Sequence, residues 1–125
     1  METMNSLKTT QEVAARFHEL AQQEKWFDIQ DEFFGQAVQS IEPTGSAYFD
    51  YAVGKTLVRK KGEDFVKKIT AVHRTYTSAP IVTDNHFAVV REVDITQEDY
   101  GRIQIHQIML YEVRNGEIVK EQFFY

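Results

Sequence analysis

The chain has 125 residues, a net charge of −5 and a hydrophobic content of 42%, which suits one globular domain with a single core. The acidic balance argues against a nucleic-acid partner, because phosphate binding requires concentrated positive charge. Cysteine is absent, which excludes disulfides and thiol chemistry.

The N-terminal segment, residues 1–10, has no apolar core of signal-peptide length. No later stretch approaches the ~18 consecutive apolar residues of a membrane span. We therefore expect a cytoplasmic protein with no membrane partner. We also expect a single domain over residues 1–125, with residues 1–8 flexible.

Two helices are predicted at the start of the domain. Thr9 and Glu12 stand at the spacing of a capping box, and apolar residues at helical spacing follow, so the first helix is predicted over residues 10–24. A second, shorter helix is predicted over residues 27–34, with Gly35 ending it.

The middle of the chain changes structure several times. Residues 37–42 are predicted to form a strand that stops before Pro43, because the residue before a proline prefers an extended conformation. Residues 48–53 are predicted as a short strand or a flap, and residues 54–62 as irregular. A third helix is predicted over residues 63–73, with four apolar side chains on one side: Phe65, Val66, Ile69 and Val72.

After the third helix, the apolar period changes from that of a helix to that of a strand. Four strands are predicted, over residues 74–83, 86–96, 102–114 and 117–125. The Asn115-Gly116 dipeptide predicts a tight hairpin, because both residues tolerate the positive φ that a type I′ turn requires. The fold class is therefore α+β, with helices followed by a curved antiparallel sheet.

The hairpin turn predicts which residues of the last two strands share a face. A two-residue loop pairs Arg114 with Glu117, and the pairing continues down the ladder. One face then carries three pairs: Leu110 with Glu121, Ile108 with Phe123, and His106 with Tyr125. Because this face combines apolar walls with a few polar groups, we expect it to line an interior pocket. A slip of one residue would exchange the two faces.

The order of elements resembles the nuclear transport factor 2-like superfamily, and its SnoaL-like members in particular. The stretches that carry the resemblance are residues 41–45, 79–82, 84–89, 92–96 and 111–125, and it extends over nearly the whole chain. The resemblance implies a cone: a curved antiparallel sheet wrapped around the N-terminal helices, with a pocket at the open end. It also implies a homodimer packed sheet to sheet. It does not imply one activity, because the family includes isomerases, cyclases, hydrolases, dehydratases and non-catalytic domains.

Ketosteroid isomerases share the fold that this resemblance implies. They use a carboxylate base with a tyrosine and a protonated aspartic acid that stabilise an oxyanion. On this sequence the base falls on Glu42, the tyrosine on Phe17, and the aspartic acid near Gln107 or Ile108. Since two of the three roles are altered, steroid-type isomerisation is not expected.

Three residues are candidate catalytic groups: Glu42, His106 and Glu121. Glu42, at a strand end among apolar residues, is either a general base or an anchor for the following turn. His106 is either a general acid or base, or a core histidine hydrogen-bonded to Tyr125 or to a water molecule. Glu121 lies on an apolar face and needs a partner, which is His106, Arg91 or a ligand.

The pocket-lining residues are predicted from their aromatic or apolar character. They are Phe17, Trp26, Phe34, Tyr48, Tyr51, Ile108, Leu110, Phe123 and Tyr125. The basic run Arg59-Lys60-Lys61 is interpreted as a solvated loop or the start of a helix. Glu92 and Asp94 share a face of one strand, either as an acid–base pair or as solvent-facing groups, and the sequence leaves that face open.

The four histidines show no metal-binding spacing, and neither a phosphate loop nor a nucleophile elbow is present, so no metal or cofactor is expected. The sequence predicts a domain that binds a small, apolar organic molecule in the cone pocket. Cofactor-free acid–base catalysis, of isomerase, cyclase, hydrolase or dehydratase type, is one hypothesis. The alternative is a non-catalytic ligand-binding or dimerisation module whose polar residues serve only the core.

Overall fold

The computed structural model describes residues 7–125. Its elements, in chain order, are α1 Thr10–Gln22, α2 Trp26–Phe33, β1 Phe34–Ile41, β2 Ala52–Val53, α3 Lys55–Val66, β3 Ile69–Thr77, β4 Ile81–Val82, β5 His86–Gln97, β6 Gly101–Arg114 and β7 Glu117–Phe124. The expectation for residues 1–8 falls mostly on residues 1–6, which lie outside the described part of the chain. No helix in residues 7–125 is both long and apolar enough to cross a membrane.

The predicted capping box at the start of α1 is confirmed. The Thr9 hydroxyl accepts a hydrogen bond from the Glu12 N–H at 3.1 Å, and the Glu12 carboxylate accepts one from the Thr9 N–H at 2.9 Å. At the other end, Glu24 adopts a left-handed conformation with φ of 57°, and the Lys25 N–H bonds back to the Leu20 carbonyl at 3.0 Å. The helix therefore ends at Gln22, two residues before the predicted end.

The predictions for α2 and α3 need correction. Gly35 does not end α2, because β1 already begins at Phe34. The third helix covers Lys55–Val66 instead of residues 63–73, and Gly62 lies inside it rather than in an irregular segment. A Cβ atom at Gly62 would lie 3.1 Å from the ring of Phe27 on α2, so a larger residue there would require that ring to shift.

Strand β3 begins five residues before the predicted strand. Ile69 and Val72 continue the helical spacing of Phe65, but they belong to β3, where they pair with Gln97 and Ile95 of β5. The register shifts after Ile69 and again after Val72, and these irregularities hide the period of two from the sequence. The predicted strand over residues 74–83 is also divided, since β3 ends at Thr77 and β4 is separate.

The strands form one curved, unclosed sheet in the order β2-β1-β7-β6-β5-β3, with β4 pairing on β5. β1 and β7 run parallel, and the other pairs are antiparallel. The predicted α+β class with a curved sheet is confirmed. The parallel pair brings the end of β1 beside the end of the chain.

The last hairpin has the predicted turn but not the predicted faces. Asn115 and Gly116 both have positive φ, 52° and 79°, and the first two pairs beside the turn are those expected. The register then shifts at Val119, so Glu112 pairs with Lys120 and Tyr111 with Glu121. This β-bulge inserts one unpaired residue and exchanges the faces of β6 relative to β7.

Because of the bulge, the β6 residues that were predicted to face the interior lie on the outer face of the sheet. His106, Ile108 and Leu110 lie on the outer face of the sheet, opposite the helices, and their predicted interior position was wrong. The alternate residues of β6 lie on the inner face, and three of them are buried: Ile105, Met109 and Tyr111.

The buried apolar residues form two clusters. The larger one joins α1 and α2 to the inner face of the sheet around Phe17, Phe87 and Tyr111. The smaller one consists of Ile95, Ile103 and Ile105 on β5 and β6. Both clusters contribute to the lining of one cavity, which therefore lies between them.

Candidate functional site

A cavity of about 600 Å³ lies between α2, α3 and the inner face of the sheet. We refer to it as the inner cavity. Its walls are mainly apolar, including Val58, Phe65, Ile105, Met109 and Phe123, and its polar lining groups include Glu42, Arg91 and Glu121. A mostly apolar space with a few polar groups is the usual form of a small-molecule site.

Glu121 is the buried acid of the inner cavity. It is 6% exposed, and its Oε2 atom accepts a hydrogen bond from the Ser40 hydroxyl at 2.8 Å. Burial raises the pKa of Glu121 to about 7, because the carboxylate loses its hydration, and the Ser40 bond and the charge of Lys61 only partly offset this. Glu121 can therefore exist in both protonation states near neutral pH.

Lys61 connects Glu121 to a second carboxylate. Its ammonium donates to the Ser40 hydroxyl at 2.8 Å, to the Glu42 carboxylate at 2.9 Å and to the Asp50 carbonyl at 3.1 Å. These three bonds use all three of its protons. Only 16% of the Lys61 side chain and 4% of the Glu42 side chain are exposed, so the interpretation of Lys61 as solvated was wrong.

Tyr125 is the second hydrogen-bond donor to Glu42. Its hydroxyl donates to the other Glu42 oxygen at 2.8 Å and lies 2.5 Å from the Ser46 hydroxyl. An unbroken series of hydrogen bonds thus runs from Glu121 to the half-exposed Tyr125. We call these five residues the carboxylate network: Ser40, Glu42, Lys61, Glu121 and Tyr125.

Glu42 lies where the sequence predicted it, at the end of β1 and on the lining of the inner cavity. Both of its oxygens already accept hydrogen bonds, one from Lys61 and one from Tyr125. Protonation of Glu42 would remove the charge on which its ion pair with Lys61 depends, whereas Glu121 is hydrogen-bonded by the uncharged hydroxyl of Ser40. Glu121 is therefore the better candidate for proton transfer.

Tyr111 stands beside Glu121 as its cross-strand partner. Its side chain is buried, and burial raises the pKa of the phenol well above its usual value. The hydroxyl therefore stays protonated, and it donates to the Met109 Sδ atom at 4.0 Å, a weak acceptor that a ligand oxygen can replace. The sequence marked Phe17 as the altered tyrosine position, and the structure supplies a tyrosine from β6 instead.

A second polar group lies elsewhere on the cavity lining. The Arg91 guanidinium lies over the Trp26 ring, 4.4 Å from its centroid, and bonds to Glu24 at 2.9 Å and to the Thr77 hydroxyl at 2.9 Å. Burial raises the pKa of Glu24, but the hydrogen bonds from Arg91 and Trp26 outweigh it and the pKa is lowered. This ion pair fixes Trp26, which also lines the cavity as predicted.

Gln30 presents a further polar atom on the cavity lining. Its amide oxygen is buried and has no hydrogen-bond partner within residues 7–125. A buried acceptor of this kind is uncommon in native proteins and marks a point where a ligand or water can donate.

A separate open space of about 510 Å³, which we call the outer groove, lies between α3 and the segment that joins β1 to β2. Tyr48 and Tyr51 line this groove rather than the inner cavity. Their predicted position in the pocket is therefore corrected: both belong to the adjoining space. The Tyr48 ring packs edge-on against Tyr100, with 5.1 Å between centroids.

Other predicted pocket residues have different positions. Phe123 lines the inner cavity as predicted. Phe17 and Phe34 are buried in the larger apolar cluster instead, where Phe17 contacts three aromatic rings. Tyr125 lies outside the lining of both spaces but bonds to the network. Ile108 and Leu110 lie on the outer face, because of the bulge.

Glu92 and Asp94, whose face could not be predicted from the sequence, lie on the outer face of the sheet. Glu92 bonds to Arg74, and Asp94 bonds to Arg102 at 2.9 Å. His106 stands beside Glu92 as its cross-strand partner and is exposed. No group of three acidic or histidine side chains within residues 7–125 is arranged to hold a metal ion.

Sequence comparison identifies the family. The profile of the SnoaL-like domain matches residues 8–125, and no curated protein matches the sequence. A crystal structure from Mesorhizobium loti, described as a candidate SnoaL-like polyketide cyclase [carbohydrate phosphatase], is 27% identical, with a TM-score of 0.87 over 94% of this chain and 100% of that one.

Two further structures share the fold alone. A nuclear transport factor 2-like protein from Burkholderia thailandensis is 12% identical, with a TM-score of 0.77 over 94% of this chain and 91% of that one. A candidate isomerase from Rhodopseudomonas palustris is 10% identical, with a TM-score of 0.64 over 93% of this chain and 88% of that one. The profile match over nearly the whole sequence shows that the chain belongs to the SnoaL-like domain family.

Proposed function

We propose that this domain binds a mostly apolar carbonyl compound in the inner cavity and catalyses a cofactor-free proton transfer next to the carbonyl group. The observation that supports the proposal is a buried carboxyl group, Glu121, on the wall of an otherwise apolar cavity. An acid–base group works best when its pKa lies near the working pH, and the pKa of Glu121 is about 7.

Glu121 is the proton-transfer residue in this proposal. Its carboxylate takes a proton from the carbon next to the carbonyl, the electron pair of the broken C–H bond forms a C=C bond, and the π pair of the C=O bond moves onto the carbonyl oxygen. The protonated Glu121 then returns the proton to a carbon or an oxygen of the intermediate. The Tyr111 hydroxyl is the donor available to stabilise the negative oxygen, since it stays protonated.

The remaining members of the network act through Glu121. Ser40 fixes one carboxylate oxygen, and Lys61 favours the charged form of Glu121. Glu42 opposes Lys61, because a second negative charge disfavours ionisation. Ser40, Lys61 and Glu42 are positioning residues that together determine where Glu121 titrates.

The experiment measures exchange of the α-protons of apolar ketones, such as 2-tetralone and decanone, with deuterium in buffered D₂O by NMR. We expect the wild-type protein to accelerate exchange, with a rate that rises with pH and levels off above about 7, because the base form of Glu121 is required. Glu121→Gln should remove at least ~99% of the acceleration, as general bases contribute about 10²–10⁴-fold.

Glu112→Gln is the matched control. Glu112 occupies the next rung of the same hairpin but points to the outer face, so this variant should exchange α-protons at the wild-type rate. An equal rate in wild type and Glu121→Gln would disprove the role of Glu121. If the wild-type protein binds the ketones without accelerating exchange, the enzyme proposal fails.

A non-catalytic binding module is the second candidate. The observation in its favour is that Lys61 and Glu42 find all their partners within the protein, as expected of a network that serves the core. Binding of a ketone without α-proton exchange at any pH is the result that would support this function.

We also propose that the outer face of the sheet pairs with a second copy of the chain. Val90, Ile108 and Phe124 are cross-strand neighbours and form an exposed apolar row over β5, β6 and β7. Flanking charges of both signs, on Arg74, Glu92, Asp94 and Arg102, allow two copies related by a twofold axis to complement each other.

Sedimentation velocity tests the dimer. Ile108→Asp should convert a dimer into a monomer, because a charge would be buried at the centre of the contact. Leu57→Asp, at an exposed apolar position on α3, is the control and should leave the wild-type state unchanged. A wild-type protein that sediments as a monomer over the micromolar range would contradict the proposal.

A further inference from the structure

Only a thin wall separates the inner cavity from the outer groove. The two spaces share three lining residues, Phe49, Lys61 and Phe65. One space holds about 600 Å³ and the other about 510 Å³. Any opening in this wall would nearly double the room for a ligand.

Phe49 is the part of the wall that is easiest to move. Lys61 is fixed by its three hydrogen bonds, and Phe65 is carried by α3. Phe49 instead belongs to residues 42–51, which contain no helix or strand. Its ring rests on Phe65 with 4.7 Å between centroids, and the Lys61 ammonium lies 5.7 Å from it.

Hydrogen bonds fix the backbone of the segment at Phe49 and at the following residue. The Ser46 hydroxyl accepts a hydrogen bond from the Phe49 N–H at 3.3 Å, and the Asp50 carbonyl accepts one from Lys61 at 3.1 Å. Both hydrogen bonds connect the segment to the carboxylate network, since Lys61 belongs to it and Ser46 contacts Tyr125. The backbone on each side of Phe49 is therefore held, while the ring itself is fixed only by packing.

We infer that Phe49 sets the longest ligand that the inner cavity accepts, and that without its ring the chain of a longer ligand continues into the outer groove. This inference rests on the proposed function, because it requires an apolar ligand in the inner cavity. The ligand class is an unbranched aliphatic carbonyl compound. The groove offers its chain a partly apolar surface formed by Tyr48, Tyr51, Leu57 and Tyr100.

Chain length gives the inference a quantitative form. Each methylene group that is buried contributes about 0.8 kcal/mol, which corresponds to about fourfold in affinity. Affinity should rise by about this factor per carbon until the chain reaches Phe49, and then stop rising. In Phe49→Ala the fourfold steps should continue for several carbons beyond the wild-type limit.

The experiment titrates straight-chain methyl ketones, from hexanone to tetradecanone, against the full chain. Trp26 is the only tryptophan of the sequence and lines the inner cavity, so its fluorescence reports binding there. Ile81→Ala is the control, because Ile81 is exposed on β4 and lines neither space, so this variant should leave the length limit where the wild type has it. Phe49→Leu, which keeps much of the bulk, should give an intermediate limit.

The outcomes separate this inference from the proposed function. A limit that moves to longer chains in Phe49→Ala, and by less in Phe49→Leu, supports it. A limit that stays in place in both variants overturns it and leaves ligand binding intact. If no ketone changes the Trp26 fluorescence of the wild type, the proposed ligand class is wrong and the inference falls with it. If Phe49→Ala does not fold, the Phe49→Leu result alone decides.

Discussion

The two faces of the β6–β7 hairpin place the same residue type in opposite environments. Glu112 and Glu121 occupy consecutive rungs, paired with Lys120 and Tyr111 respectively. On the outer face, the hydrogen bond from Arg114 lowers the pKa of Glu112. On the inner face, burial raises the pKa of Glu121 to about 7. The chemistry of each glutamate therefore depends on the face to which the strand turns it.

The largest expected difference between the faces is in the free energy of unfolding that is lost when a packed side chain is removed. Phe17 is fully buried against the inner face, so Phe17→Ala should lower the free energy of unfolding by about 3–5 kcal/mol. Phe124, on the outer face, is 47% exposed, and Phe124→Ala should cost about 1 kcal/mol in dilute solution. Urea denaturation followed by circular dichroism measures both.

Protein concentration sharpens this contrast. If the outer face pairs with a second copy, the loss caused by Phe124→Ala should grow with protein concentration, and the loss caused by Phe17→Ala should not. Equal losses for the two variants at low concentration would mean that the faces are not distinguished by burial.

The next effect is a pH dependence of stability that comes from the inner face. The folded pKa of Glu121 is above its unfolded value of 4.5, so its stabilising contribution is present below pH 4.5 and is lost as the pH rises to about 7. Glu121→Gln removes this dependence. Relative to the wild type, the variant should gain about 3 kcal/mol between pH 4.5 and pH 8, measured as the free energy of unfolding.

Glu112→Gln should show the opposite sign in a different pH range. Its folded pKa is below 4.5, so the wild-type contribution is present above that value and is lost as the pH falls. This variant should therefore differ from the wild type at neutral pH and converge with it in acid. A change between pH 5 and pH 8 in Glu112→Gln, but not in Glu121→Gln, would reverse our assignment of the faces.

The smallest effect is expected from an exposed ion pair on the outer face. The hydrogen bond from Arg102 lowers the pKa of Asp94 to about 2, so any stabilisation is present at neutral pH and is lost as the pH falls through that value. Asp94→Asn should reduce the denaturation midpoint only slightly at low salt and not measurably at high salt, because exposed charges are screened. A large loss at high salt would contradict this.

The sequence predicted the fold because its strongest local signals agree with the tertiary structure. The capping box at Thr9, the break before Pro43 and the Asn115-Gly116 turn each act over a few residues. The third helix was misplaced because Gly62 resembles a helix breaker, and only the neighbouring Phe27 ring explains its position inside α3.

The site was less predictable because it depends on two features without a local signal. The bulge at Val119 has no marker in the local sequence, and it changed the faces of His106, Ile108 and Leu110. Lys61 belongs to a basic run that is indistinguishable from a solvated one, and its burial depends on Glu42, nineteen residues earlier in the chain. Glu121 was found because a charge on an apolar strand is unusual in any register.

The parallel pairing of β1 with β7 also has a consequence for the order of folding. It joins Ser40 to Glu121 and Glu42 to Tyr125, residues separated by 81 and 83 positions in the chain. Contacts so distant in sequence form slowly, because a long loop must close first. The site is therefore assembled only when the last strand docks. Between pH 4.5 and 7 that step takes up a proton, so an indicator dye in a stopped-flow experiment would report the moment at which the chain completes its site.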